Sequence, residues 1–171
     1  MFKHILVPTD GSPLSDKAVQ YSIGLAAATG ASLTFLMVTE TFHTFSLDVD
    51  QVEDTPVEYR KHAKERAERY LGRAALAAGA AKVPFDTVHV EGDQPYGAII
   101  DTAGRNGCDL IVMASHGRRG ISALVLGSET VKVLTHTRIP VLVVRSPNGP
   151  LPEKSQERRE KVPQFMSEQL P

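Results

Sequence analysis

Short runs of consecutive apolar residues alternate along this chain with longer stretches in which apolar positions recur every three or four residues. Ile5-Leu6-Val7 is the first run, closed by Pro8-Thr9-Asp10-Gly11, and reads as a buried strand. Ser12-Pro13 has the form of a helix N-cap followed by proline at the first helical position. Leu14, Ala18, Tyr21, Leu25 and Ala28 then recur at helical spacing, with Gly30 as the stop. Leu33 to Val38 is a second strand. Pro56 to about Ala80 carries the longest helical pattern, with Ala63, Ala67, Tyr70, Leu71, Ala74 and Ala78 as its apolar stripe and Lys61, Lys64, Glu65, Glu68 and Arg69 as its solvated face. Phe85 to Val90 is a third strand, Tyr96 to Arg105 a helix, and Leu110 to Ala114 a fourth strand, apolar throughout as suits a central position covered on both faces. Ser128 to His136 is a last helix and Pro140 to Val144 a last strand.

This alternation predicts an α/β domain, an open five-stranded parallel sheet with helices on both faces, with right-handed crossovers. Two segments fall outside the pattern. Thr39 to Thr55 shows no sustained periodicity and reads as a long loop, either a flap over a site or a solvated connection with a few docked aromatics, Phe42 and Phe45 among them. From Ser146 the chain turns proline-rich and polar, so the domain is expected to span residues 1–146 and residues 147–171 to be a flexible tail. Phe165, Met166 and Leu170 in that tail either dock on a protein partner or remain unanchored.

The bulk numbers narrow the class. A length of 171 residues suits one domain, and 42% apolar with 23% charged residues is a globular balance. Nineteen basic against 20 acidic residues leave a net charge of −1, which gives no ground for nucleic acid as a partner. No apolar run approaches the ~20 residues of a membrane span, and the opening Met1-Phe2-Lys3-His4 lacks the features of a signal peptide. The expected setting is the cytoplasm. Cys108, the one cysteine, reads as a buried structural thiol.

In an open parallel sheet, ligands bind beyond the carboxyl ends of the strands where strand order reverses. The loops after the first, second and fourth strands are therefore the candidates. Asp10 in the first could accept hydrogen bonds from a ligand, or it and Ser12 could only cap the helix that follows. After the fourth strand come Ser115-His116-Gly117-Arg118-Arg119-Gly120, and with nine residues between them and Gly117 come Gly127 and Ser128 at the start of a helix. Glycines let a ligand approach backbone N–H groups, and a helix N-terminus adds donors and a favourable dipole, so such turns can cradle phosphates; by themselves they are equally the marks of ordinary turns. Arg118 and Arg119 are either phosphate neutralisers or solvated loop residues. His116 has no nucleophile or acid partner legible in the sequence, and the other histidines lack metal-ligand spacing. The G-x-x-x-x-G-K-S/T loop, the G-x-G-x-x-G loop after the first strand and the G-x-S-x-G elbow are all absent.

Ile5 to Ser12, Asp109 to Gly120, Leu126-Gly127-Ser128 and Ile139 to Val144 together resemble the universal stress protein family, over about residues 2 to 145. The resemblance implies a Rossmann-like fold of the adenine nucleotide alpha hydrolase type. In the nucleotide-binding branch the signature is G-x2-G-x9-G-S/T, and here it falls on Ala114, Gly117, Gly127 and Ser128, with both spacings intact and alanine in place of the first glycine. That alanine either crowds a ligand or is harmless where φ is negative. By the resemblance, Pro8, Thr9, Asp10 and the Val38 backbone surround ribose and adenine, and Met113, Ala114, Ser115, His116 and Gly117 with Gly127 and Ser128 hold ribose and phosphates. It implies ATP or AMP as ligand, Mg2+ accompanying ATP with no protein ligand identifiable, and a homodimer paired through the last strand. The function implied is a nucleotide-dependent stress-response regulator, at most a slow ATPase since no general base is visible. The alternatives are a nucleotide-free dimeric interaction module of the same fold and an adenylate-forming enzyme, whose activating motifs are absent.

Overall fold

The computed structural model describes residues 1–42, 55–117 and 126–145. Five strands, β1 (His4–Pro8), β2 (Ser32–Thr39), β3 (Phe85–Glu91), β4 (Leu110–Ala114) and β5 (Val141–Val144), form one sheet in the order β3-β2-β1-β4-β5. All four pairings are parallel, with Val7 opposite Phe35, Leu6 opposite Ile111 and Val112 opposite Leu142. The helices are α1 (Pro13–Thr29), α2 (Pro56–Ala80), α3 (Pro95–Arg105) and α4 (Ser128–His136). The predicted α/β architecture is the one found.

The two-residue period of the strands sorts the core into two layers. Ile5, Val7, Leu33, Phe35, Leu110 and Val112 face α1 and α2, packing on Ala18, Ile23, Ala67 and Leu71. Leu6, Leu36, Ile111 and Met113 face the opposite way, onto Ile99 and Ala103 of α3 and Val133 of α4. Because β1 and β4 are covered on both faces, their apolar runs are unbroken.

One expectation needs correcting. The helical spacing puts Tyr21 and Ala28 on the apolar face of α1, but Tyr21 is 66% exposed and Ala28 is exposed as well. The buried face runs through Leu14, Ser15, Ala18, Val19, Ser22, Ile23 and Ala26. Two of these are serines, and each is buried without loss because its hydroxyl donates within its own helical turn, Ser22 Oγ to the Ala18 carbonyl at 2.7 Å and Ser15 Oγ to that of Ser12 at 2.9 Å. Counting serine as an outward residue shifts the apparent stripe by about one position.

The helix ends follow their local chemistry. Ser12 accepts from the Ser15 N–H at the start of α1, and Gly30 ends it in the left-handed region at φ 74°. At α2 the sequence holds more than was read from it: Thr55 and Glu58 cap one another reciprocally, a capping box. Of the predicted loop between Thr39 and Thr55, residues 43–54 lie outside the described residues, Phe45 with them. Its start is fastened: the Tyr59 hydroxyl donates to the Glu40 carbonyl at 3.3 Å, and the Phe42 and Tyr59 rings lie 5.6 Å apart. Phe42 is thus a docked aromatic. Arg118, Arg119, Gly120 and the tail from Ser146, with Phe165, Met166 and Leu170, also lie outside the described residues.

Cys108 is buried, as expected, and burial pushes its thiol up to about 11, helped by the neighbouring Asp109 charge and opposed by a hydrogen bond with Thr34. Near neutral pH it is an inert, protonated core residue.

Candidate functional site

After β1 the chain moves one way across the sheet to β2 and β3, then returns to place β4 and β5 on the other side. The crevice of such a sheet opens at the carboxyl ends of β1 and β4, where the two halves part. The loops leaving these strands touch there. A Cβ added to Gly117 would lie 2.5 Å from Asp10 Oδ2, so the carboxylate of the β1 loop rests directly on the β4 loop and would have to move for any other residue there. A Cβ on Gly127 would lie 3.2 Å from the His116 Cα and 3.5 Å from the Ser115 carbonyl oxygen, so the start of α4 closes on the same loop. The β1 loop, the β4 loop and the start of α4 thus meet at one place.

Hydrogen bonds lock this junction. The Gly127 N–H donates to the Ser115 carbonyl at 2.8 Å. Thr130 Oγ1, buried in α4, donates to the Ala114 and Ser115 carbonyls at 3.1 and 3.2 Å. The Ser115 N–H donates to the Val144 carbonyl and the Thr9 N–H to that of Leu36, each at 2.8 Å, which ties the loop bases to β5 and β2. Asp10 Oδ1 accepts from the Ser12 N–H at 3.0 Å, and Ser115 Oγ lies 3.2 Å from His116 Nδ1. Thr130 was not anticipated, and nothing in the sequence sets it apart from other helical threonines. Thr130→Val removes the one donor shared by both carbonyls and is expected to lower unfolding stability by about 1–2 kcal/mol, read from urea denaturation.

The predicted residues divide by what their side chains already do. Thr9 is 7% exposed and its Oγ1 is engaged by Ser15 Oγ and the Gly11 N–H, at 3.1 and 3.3 Å. The Met113 side chain is in the α3–α4 core layer and the Ala114 methyl in the α1–α2 layer. These three, like Pro8 at the end of β1, offer a ligand mainly backbone. Ala114 is not among the described residues with positive φ, so its backbone makes no demand for glycine, and its methyl is 8% exposed within the core. Val38 packs against the α3 side of the sheet with Val88, Val90 and Tyr96. Ser115 is buried, His116 and Gly127 are half-buried, and Gly117 and Ser128 are exposed.

Helix N-termini here differ in what completes them. Ser12 serves α1 and the Thr55–Glu58 box serves α2. At α3, Glu129 of α4 supplies a carboxylate oxygen 2.9 Å from the Tyr96 N–H. At α4 the N-cap is Gly127, which has no side chain to give, and its N-terminus opens beside the glycine junction. Such an end attracts an anion through its N–H groups and its dipole. Among the described residues no group of three or more His, Cys, Asp and Glu could hold a metal ion.

Comparison with known proteins shows the family and the fold. The universal stress protein family model matches residues 1–145. Universal stress protein MJ0531 of Methanocaldococcus jannaschii is 30% identical over 152 residues, covering 86% of this chain and 84% of that protein. Among solved structures, that of MJ0577, determined as a structure-based assignment of biochemical function, superposes with a TM-score of 0.74 at 26% identity, covering 87% of this chain and 99% of the other. A universal stress protein in complex with cAMP superposes with a TM-score of 0.62 at 27% identity, covering 84% of this chain and 97% of the other. The chain belongs to the universal stress protein family. Among the described residues, no helix is long and apolar enough to cross a membrane.

Proposed function

We propose that this protein binds an adenine nucleotide, ATP or AMP, in the crevice between the β1 and β4 loops and acts in the cytoplasm as a stress-response regulator through a homodimer. The observation that carries this reading is the convergence of Asp10, Gly117 and Gly127 at the switch point, beside a helix N-terminus capped only by glycine. The family member complexed with cAMP supports an adenine nucleotide as the ligand class. In this reading the Asp10 carboxylate accepts from ribose hydroxyls and the Val38 backbone meets the adenine edge. The N–H groups of Gly117 and Ser128, with the Ser128 hydroxyl, receive the phosphates, and Gly127 gives them room by lacking a side chain. Pro8, Thr9, Met113, Ala114, Ser115 and His116 line the crevice through main chain or short side chains. Magnesium, when ATP is bound, neutralises phosphate charge.

The dimer would form on β5, an edge strand paired only with β4 among the described residues, on which Leu142 is 44% exposed. Nucleotide occupancy at Ser115 is one hydrogen bond from that edge, through the Val144 carbonyl.

Native purification followed by mass spectrometry of the denatured supernatant tests the reading. The expected result is a near-stoichiometric adenine nucleotide on a protein that elutes as a dimer. No bound nucleotide, and no binding with millimolar ATP and magnesium, would leave only a dimeric interaction module of this fold.

A further inference from the structure

We infer that Tyr70, on α2 and outside the ligand crevice, is the positioning residue for Asp10, its ring forming the floor on which the Asp10–Gly11 turn rests. The inference depends on the proposed nucleotide site. A Cβ built on Gly11 would fall 2.5, 2.5 and 2.6 Å from Cε1, Cζ and Cε2 of Tyr70. Near-equal distances to three consecutive ring atoms place that point over the face of the ring, not at its edge. Gly11 also has φ +76°, a conformation that L side chains rarely adopt. The turn is therefore constrained from within by its backbone and from below by a flat aromatic surface.

The constraint passes directly to the crevice. Asp10 precedes Gly11, and its Oδ1 accepts from the Ser12 N–H at 3.0 Å across the same turn. Its other oxygen rests on Gly117. A continuous series of contacts thus runs from Tyr70 through Gly11 and Asp10 to the β4 loop. Tyr70 also walls a cavity of about 90 Å3 between α1 and α2 that reaches Thr9, with the Asp16–Arg73 ion pair (2.9 Å) contributing to its lining. Removing the ring would join that void to the underside of the turn and free Gly11 to move into it.

The ring face makes the contact, so the hydroxyl is dispensable and the aromatic plane is not. Calorimetric titration with AMP of the full chain and of its variants separates these parts. Tyr70→Phe should bind within about twofold of the parent, and Tyr70→Ala should bind about tenfold more weakly, the scale of loss when a ligand-contacting group is left loosely held. Leu71→Ala, which removes core packing one residue away, should lower the melting temperature and leave AMP affinity unchanged. Amide hydrogen exchange at Gly11 and Ser12 should quicken in Tyr70→Ala and not in Leu71→Ala. Should Tyr70→Ala fail to fold, Tyr70→Leu keeps an apolar side chain without the plane and is read the same way. Equal affinity in the parent and in Tyr70→Ala or Tyr70→Leu, or an equal loss in Leu71→Ala, overturns the inference alone. No AMP binding by the parent chain overturns the nucleotide site, and the inference with it.

Discussion

Gly127→Asp is expected to weaken nucleotide binding by at least about 100-fold, or about 2.7 kcal/mol, while leaving the fold intact. Gly127 is the N-cap of α4 at φ −62° and ψ 153°, an extended conformation that aspartate adopts freely. Its new carboxylate would accept from the first-turn N–H groups of α4 and so stabilise the helix it caps. The carboxylate would stand beside the Ser128 N–H assigned to the phosphates, and its negative charge would repel them, an effect of several kcal/mol when like charges are forced together. The added Cβ meets the His116 Cα at 3.2 Å, a contact relieved by a shift of a few tenths of an ångström. Helix capping and site occupancy therefore respond in opposite directions. Calorimetric titration with ATP and with AMP, beside a thermal melt, reads both. Parent-like affinity would show that the phosphates do not lie at α4.

Phe35→Ala is expected to do the reverse, lowering unfolding stability by about 3–5 kcal/mol with little change in the affinity of the folded fraction. Phe35 is fully buried on β2, in the layer beneath α1 and α2, with its ring 6.3 Å from that of Phe85. Close packing prevents the surrounding side chains from filling the space it would leave. Domains of this kind are commonly stable by only about 5–15 kcal/mol, so the loss is a large share of the total. Chemical denaturation measures the first part and nucleotide titration below the unfolding transition the second. A drop below about 1 kcal/mol would mean that this layer is less tightly packed than the buried areas indicate. Together the two variants separate scaffold from site.

Elements bounded by strong local chemistry were legible in the sequence. The five strands and four helices lie close to where the apolar runs, the Ser12-Pro13 start and the Gly30 stop put them. The phase of α1 was not, because Ser15 and Ser22 satisfy their hydroxyls within the helix and behave as core residues. The Ala114 question was open from sequence because it turns on a backbone angle. With no positive φ and a methyl held in the core, alanine fits there without strain.

The candidate site was legible as three segments but not as a junction. Spacing identifies Gly117, Gly127 and Ser128. It does not disclose that Gly117 lies against the Asp10 carboxylate and Gly127 against His116, since those contacts join residues far apart in the chain. Tyr70 and Thr130 were invisible as site residues for the same reason. One was read correctly as part of a helical apolar stripe and the other lies unmarked in a short helix, and only the fold brings them to the loops. Glu129, which completes the N-terminus of α3 from α4, is a third such case.

The most direct test of the account is an amide chemical-shift titration of the isotopically labelled protein with AMP. Large, saturable shifts are expected at Gly11, Gly117, Gly127 and Ser128, with Gly107 and Asp109 at the opposite ends of the strands unmoved. Shifts that cluster away from the β1 and β4 loops, or no shifts at millimolar AMP, would contradict it.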